Sequence, residues 1–164
     1  MDWKDAFFRQ AESDFILYHE FKERKNEIPL CQRLHYFQMT TEKLAKAYLT
    51  SFYGKPPKTS HKKFVAFFRA SKNHPRIWKT LGFKTHKDYV RIVDTLLPLV
   101  EKIESLAPTN NNQPNPEYPW EVNTTVYSPL DYTFPEIYGI KNKTQSGFRR
   151  IEKIVEELVR KKIL

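Results

Sequence analysis

The sequence predicts an all-α domain, an antiparallel bundle of four to five helices with a long, ordered, aromatic- and proline-rich loop before the last helix. Three observations predict it. Apolar residues recur at three- and four-residue steps in several long windows, which is the period of amphipathic helices. Glycines and prolines bound those windows. Only the stretch 107–143 lacks the period, and a chain of 164 residues fits a single domain spanning 1–164.

The two N-terminal windows predict two long helices. The first runs from about Asp2, which can act as the N-cap, to Lys25. The second runs from about Leu30 to Tyr53, where Gly54 and the prolines after it end the helix. The positions predicted to face the core are Trp3, Phe7, Ala11, Phe15, Tyr18 and Phe21 in the first helix and Leu30, Leu34, Phe37, Thr41, Leu44, Tyr48 and Phe52 in the second.

Shorter helices are predicted next. A third helix begins near Thr59 or Ser60, either of which can cap it. It stops near Asn73, because Pro75 disfavours helical backbone at the residue before it. A short helical piece from Arg76 to Leu81 follows.

The C-terminal half combines two helices with an unusual segment. A fourth helix opens at Thr85, where Asp88 completes a pattern like a capping box, and the last helix runs from about Ser146 to the C-terminus. Between them, residues 107–143 are rich in Asn and Pro but carry six aromatic residues. Disordered segments are poor in aromatics, so this segment is expected to be mostly ordered and packed on the bundle. A small hairpin is predicted from the alternation of Val122, Thr124 and Val126.

Composition narrows the classes of function. The single cysteine, Cys31, excludes an internal disulfide and fits a cytoplasmic protein. We expect no signal peptide, because the N-terminal residues MDWKDAFFRQ include acidic residues and no apolar h-region. We expect no membrane span, because no apolar run approaches the roughly 18–20 residues that a span needs. The formal charge of +9 favours polyanionic partners such as RNA or nucleotides. A lysine-rich surface that serves only solubility is an equal alternative, because the charge is spread along the chain.

The second predicted helix and the segment that follows it resemble a known protein family. The run RLHYFQMTTEKLAKAYLTSFYGKPPKTSHKKFVAFF resembles the HEPN domain (higher eukaryotes and prokaryotes nucleotide-binding). That family carries an Ala-Glu-Lys-x-x-Lys-like stretch on its second helix, then a proline, a Thr/Ser-His pair and a new helix. The aromatic-proline segment 118–120 and the closing amphipathic helix also fit. The matching residues are Glu42, Lys43, Lys46, Pro56, Pro57 and His61.

The resemblance implies both an architecture and a function. HEPN domains are antiparallel helical bundles and usually homodimers, and many are toxins or anti-phage proteins encoded beside a nucleotidyltransferase. Active members are metal-independent endoribonucleases with an Arg-x(4–6)-His motif, whereas others have lost the motif and only bind. The resemblance therefore predicts a prokaryotic toxin or defence component that acts on or binds RNA, without a metal or cofactor, and with a possible nucleotidyltransferase antitoxin as partner.

Arg69 and His74 are the candidate catalytic residues, because Arg69-Ala-Ser-Lys-Asn-His74 is the only string that matches the motif. A histidine can take a proton from a ribose 2′-hydroxyl, and a permanently charged arginine can stabilise the phosphorane. Two features depart from the family: Ala70 stands where a polar residue is usual, and the motif closes a short helix. Residues five apart on a regular helix also point about 140° away from each other. The alternative is a helix end whose basic residues favour its dipole.

A second set of residues can bind anions. His61, Lys62 and Lys63 lie at the predicted start of the third helix, where a phosphate would meet the helix dipole. The alternative is that His61 is a structural histidine that bonds the preceding loop. Lys46 and Lys72 complete the candidate nucleotide- or RNA-binding set, although Lys46 with Glu42 also forms an ordinary i,i+4 pair that supports a helix. The remaining histidines, His19, His35 and His86, are expected to be structural or solvated.

Three functions remain open at this point. The first is a HEPN-like toxin or defence component with ribonuclease activity. The second is a catalytically inactive HEPN-like module that binds a nucleotide or a protein, for example a nucleotidyltransferase. The third is a helical adaptor whose charge serves only solubility. The first requires a His/Arg pair in a basic groove, the second requires the groove without the pair, and the third requires neither.

Overall fold

A computed structural model describes residues 1–57, 61–107, 112–138 and 143–162, and these ranges form a mainly helical bundle. The elements follow the predicted order of helices, with a small antiparallel hairpin before the last helix and, after the hairpin, a four-residue helix that the sequence did not predict. The elements are α1 (Trp3–Glu23), α2 (Leu30–Tyr53), α3 (Phe64–Ser71), α4 (Pro75–Thr80), α5 (His86–Ser105), β1 (Trp120–Val122), β2 (Thr125–Tyr127), α6 (Pro135–Tyr138) and α7 (Lys143–Lys161).

Helix α2 is the centre of the bundle. It packs along α1 and also contacts α3, α5 and α7. Its aromatic side chains join these helices: the ring centroids of Tyr48 and Phe8 of α1 are 5.3 Å apart, and those of Phe37 and Phe148 of α7 are 5.0 Å apart. Cys31, in the first turn of α2, is buried. The helix thus presents apolar or small residues on several sides, and a charged residue within it is costly unless it is paired.

The predicted apolar stripe of α1 is correct in its middle and wrong at its start. Ala11, Phe15 and Tyr18 are buried, but Trp3 is 60% exposed and stacks obliquely on Phe7. Phe8 contacts Tyr48, five residues before the end of α2, so Trp3, five residues before Phe8, lies level with the last residues of α2. The periodicity therefore predicts which face of α1 is buried, but it does not predict where the contact with α2 ends.

Helix α3 is shorter than predicted. It begins at Phe64, and residues 61–63 are not helical; Thr59 and Ser60, the predicted caps, lie outside the described residues. Lys63 stands at the N-cap position and makes no capping hydrogen bond with its side chain. Two successive lysines oppose the positive end of the helix dipole, which explains the late start. The helix ends at Ser71, and α4 begins at Pro75, a residue suited to a first helical position.

Helix α5 begins as predicted. The Thr85 hydroxyl accepts a hydrogen bond from the backbone N–H of Asp88 at 3.1 Å, as an N-cap does. Just before it, Gly82 ends the preceding turn with a φ of 78°, a conformation that favours glycine.

The aromatic segment forms a hairpin packed by its own rings. Strands β1 and β2 pair around Asn123 and Thr124, which have φ of 48° and 63° as a type I′ turn requires, so Thr124 lies in the turn and not in a strand. Trp120 is 3% exposed, and its ring lies 5.0 Å from that of Tyr132. The expectation of packed aromatics is therefore confirmed for Trp120 and Phe134, which are buried, but not for Tyr118 and Tyr127, which are 55% and 40% exposed. Residues 108–111 and 139–142 lie outside the described residues.

Candidate functional site

A buried carboxylate on α2 organises the candidate site. Glu42 is 4% exposed, in a helix whose neighbouring side chains are largely apolar. Its Oε1 lies 2.5 Å from Lys46 Nζ, one helical turn on, and its Oε2 lies 2.9 Å from His61 Nδ1. Gln38, one turn before, donates a long hydrogen bond of 3.4 Å to Oε2. Both carboxylate oxygens are thus engaged, as a buried acid requires.

The electrostatics of the cluster favour an ionised Glu42. Burial opposes ionisation of Glu42, but the hydrogen bonds and positive charges of Lys46 and His61 outweigh it and lower the pKa of Glu42. A carboxylate can only accept hydrogen bonds, so Nδ1 of His61 must carry the proton in this contact. Glu42 therefore selects the His61 tautomer and leaves Nε2 as the nitrogen that an incoming group would meet.

His61 is the accessible member of this cluster. Its side chain is 56% exposed, compared with 14% for Lys46. His61 lies in the non-helical stretch just before α3, so its ring reaches α2 from a separate segment of the chain. An exposed imidazole held by a buried carboxylate is the arrangement in which a histidine is oriented for proton transfer or for contact with an anion.

The start of α3 already has an anionic partner. Glu104 of α5 accepts a hydrogen bond from the backbone N–H of Val65 at 3.0 Å. Burial raises the pKa of Glu104, although the N–H groups of Val65 and Phe64 and the charges of Lys62 and Lys63 act in the opposite direction. The helix end that was predicted to meet a phosphate therefore meets a carboxylate of the same chain. Lys62 is exposed beside it and Lys63 is half-buried.

The two residues of the Arg-x4-His string point to different neighbours. Arg69 forms an exposed ion pair with Glu101 of α5 at 3.0 Å. His74 stacks on Phe52 of α2, with ring centroids 4.7 Å apart and planes at 19°. In the described part of the chain no hydrogen bond or ion pair joins Arg69 to His74.

The environment of His74 favours a neutral ring. Its burial, followed by the charge of Arg76, lowers the pKa of His74. Its Nδ1 is buried and has no hydrogen-bond partner among the described residues. The stacked ring thus resembles a packing residue more than an oriented acid or base.

The remaining candidate residues lie apart from this cluster. Lys72 forms an ion pair with Asp94 of α5, and its backbone carbonyl lies 2.6 Å from His86 Nε2. His35 lies 3.7 Å from a carboxylate oxygen of Glu117. Of the predicted binding residues, the structure therefore brings together Lys46 and His61, with Lys62 and Lys63 next to them in the chain.

The residue missed as a site member is Glu42, which the sequence suggested as a match to the HEPN stretch and as half of a helix-supporting pair, but not as a site residue. A signal was present: Gln38 and Glu42 directly follow Phe37 and Thr41, two positions that the apolar stripe predicts to face the core. A buried acid in such a place needs a partner from elsewhere in the chain. Nothing in the spacing identifies His61 as that partner.

Comparisons with protein-family models, with curated proteins and with solved structures find no match for this chain. Within the described ranges no group of three His, Cys, Asp or Glu side chains is arranged to hold a metal ion. None of the described helices combines the length and apolar character that crossing a bilayer requires. The class that the fold defines is a mainly helical bundle, and its candidate site is a buried Glu–Lys pair holding an exposed histidine.

Proposed function

We propose that this chain is a HEPN-like, RNA-binding protein of the toxin or defence class, and that it cleaves RNA without a metal, using His61 as the acid–base group. The observation that carries the proposal is the contact of His61 Nδ1 with the buried, ionised Glu42. The formal charge of +9 supports a polyanionic substrate. The resemblance of the α2 sequence to HEPN domains supports the class.

The chemistry needs one base and a source of positive charge. Nε2 of neutral His61 takes the proton of a ribose 2′-hydroxyl, and the 2′-oxygen forms a bond to the adjacent phosphorus. The bond from phosphorus to the 5′-oxygen then breaks, and water supplies the proton that the leaving oxygen needs. Lys62 and Lys63 lie next to His61 in the chain, where positive charge can stabilise the phosphorane. The products are a 2′,3′-cyclic phosphate and a 5′-hydroxyl.

Cleavage of a labelled RNA in the presence of chelator tests the proposal. We expect a product ending in a 2′,3′-cyclic phosphate, and a rate at least tenfold lower in His61→Ala, because one acid–base group contributes factors of about 10²–10⁴. His74→Ala is the matched control, since both variants remove one imidazole. If His74→Ala and Arg69→Ala lose as much cleavage rate as His61→Ala, or more, the catalytic residues are Arg69 and His74 instead of His61.

Glu42 is a positioning residue in this proposal, so its variant needs a distinct readout. Glu42→Gln keeps the shape of the side chain but no longer favours a charged ring. We expect a lower kcat and a shifted pH profile in Glu42→Gln, with little change in KM. A normal pH profile in a folded Glu42→Gln protein would assign the carboxylate to stability alone.

A catalytically inactive binding module is the second candidate. It is supported by the separate partners of Arg69 and His74 within the chain, which are Glu101 and Phe52. This candidate predicts that the wild-type protein binds RNA or a nucleotide in a salt-dependent manner but leaves RNA intact. If the protein neither binds nor cleaves RNA, both candidates fail.

We also propose that the chain forms a homodimer. HEPN domains are usually homodimers, and here Trp3 and Tyr53 are 60% and 66% exposed at the same end of the α1–α2 pair. Such large exposed aromatics are enriched at interfaces between chains. Light scattering at micromolar concentration should give twice the mass of one chain, and Trp3→Glu should shift it towards one. Co-purification of a neighbour-encoded nucleotidyltransferase would support the toxin–antitoxin assignment.

A further inference from the structure

A basic cleft lies between α1, α2 and α7, away from His61. Its volume is about 280 Å³. Arg33 lies in the first turns of α2, nine residues before Glu42, which is about 13 Å along the helix and half a turn around it. The cleft and the His61 cluster are therefore separate sites on opposite sides of α2. The lining residues are Tyr18, Lys22, Lys25, Arg33, Phe148, Arg149 and Glu152.

The cleft has an excess of positive charge that its own acid does not neutralise. Glu152 is its one carboxylate, and its Oε1 accepts from the Tyr18 hydroxyl and from Lys22 Nζ, each at 2.5 Å. Lys25, Arg33 and Arg149 form no ion pair with any carboxylate in the described part of the chain. Four basic side chains and one acid thus leave a formal charge of +3 around a small cavity.

Arg33 supplies the most specific observation. Its Nε is buried and has no hydrogen-bond partner among the described residues. A buried N–H of a charged group is costly when it is left unsatisfied, so an anion or water in the cleft is needed to pair with it. A guanidinium presents its N–H groups in a planar fork that matches the oxygens of a phosphate.

From these contacts we infer that the cleft binds a phosphate monoester group. A dianionic phosphate matches an uncompensated charge of +3 better than a carboxylate or a phosphodiester, each of which carries one negative charge. The cavity is at or below the lower end of the range for small-molecule sites, so it accommodates the phosphate group and leaves the rest of the ligand outside. A nucleotide and a 5′-phosphorylated RNA end share this chemistry. The inference does not depend on His61 or on ribonuclease activity.

Calorimetric titration at constant ionic strength tests the site, with inorganic phosphate as the first probe. We expect saturable binding of one phosphate per chain in the wild-type protein. Binding should be at least tenfold weaker in Arg33→Gln and in Arg149→Gln. Arg160→Gln is the matched control, because Arg160 is an exposed arginine on α7 that lies near Glu156 and outside the cleft. The absence of saturable binding in the wild-type protein overturns the inference, and so does an equal loss in the Arg160→Gln control.

A second set of titrations tests the preference for a monoester and separates its sources. AMP should bind at least tenfold more tightly than the dinucleoside monophosphate ApA, whose one phosphate is a diester. Equal binding of the two overturns the monoester assignment. A 5′-phosphorylated oligonucleotide that binds more tightly than both AMP and its unphosphorylated form identifies an RNA end as the ligand. Equal binding of AMP and the phosphorylated oligonucleotide identifies the phosphate group alone as what is recognised. Arg149 is exposed, so its variant keeps the test valid if Arg33→Gln fails to fold.

Discussion

Replacing Glu42 with glutamine removes one charge from the interior of the bundle and changes almost nothing else in size or shape. The Lys46 ammonium, 14% exposed, would lose a charge-assisted hydrogen bond of 2.5 Å. Such a bond contributes about 1.5–3 kcal/mol, and the more exposed His61 contact adds about 0–1 kcal/mol. Glutamine avoids the desolvation of a carboxylate and can still accept from Lys46, which offsets part of the loss. We expect Glu42→Gln to lower the free energy of unfolding by about 1–3 kcal/mol.

Thermal unfolding followed by circular dichroism measures this change. For a chain of this size, 1 kcal/mol corresponds to about 2–4 °C in Tm, so a loss of about 2 kcal/mol lowers Tm by about 4–8 °C. Glu101→Gln is the control, because its ion pair with Arg69 is half exposed on both sides and should contribute within about 0.5 kcal/mol.

The pH dependence gives an independent check on Glu42. Its pKa in the folded chain is below the ordinary 4.5, so the stabilisation is fully present above pH 4.5 and is lost as the pH falls through the folded value. The gap between wild-type and Glu42→Gln should therefore close in acid. A variant with wild-type Tm at pH 7, or a gap that stays constant down to the pH at which the wild-type protein unfolds in acid, would refute the assignment of Glu42 as a paired, ionised residue.

Three further predictions concern single backbone and side-chain features. Glu104→Gln keeps an oxygen for the Val65 N–H but removes a carboxylate whose pKa is raised by burial. The stability of the wild-type protein should therefore fall relative to that of the variant as the pH rises above 4.5, and urea titrations at pH 4 and pH 7 would measure this. Gly54 has a φ of 69° and open space around an added Cβ, so Gly54→Ala should cost about 1–2 kcal/mol through backbone strain alone, and an unchanged urea midpoint would contradict this. Thr124 is a β-branched residue at a φ of 63°, so Thr124→Gly should leave Tm unchanged or raise it, and a clear fall would show that its side chain stabilises the hairpin.

The sequence predicted the helices well where a local rule determines them. The period of Ala11, Phe15 and Tyr18 found the inner face of α1, and Thr85 with Asp88 found the start of α5. Errors occurred where the determinant was distant in sequence. The first N–H groups of helix α3, which begins only at Phe64, meet Glu104, which is 39 residues from Val65. No local pattern contains that contact.

The candidate site was predictable only in part for the same reason. His61 and Lys46 were singled out as anion-binding residues, but their joint partner Glu42 is 19 residues from His61 and becomes visible only when α2 and the segment before α3 pack together. The Arg69 and His74 string was found as a motif match, whereas the neighbours of each side chain come from α5 and α2. The sequence did not predict the basic cleft, because its charges come from α1 and the turn after it, α2 and α7, and each charge alone resembles an ordinary surface residue.

The reactivity of the buried Cys31 thiol can be used to measure local opening of the helical bundle. The thiol is 2% exposed in the first turn of α2, and burial raises its pKa, so a thiol reagent can react only when this end of the bundle opens. With one cysteine in the chain, the labelling rate follows the opening of a single place. Comparing that rate with global unfolding would reveal whether the start of α2, beside the basic cleft, separates from the bundle by itself or only together with the whole core.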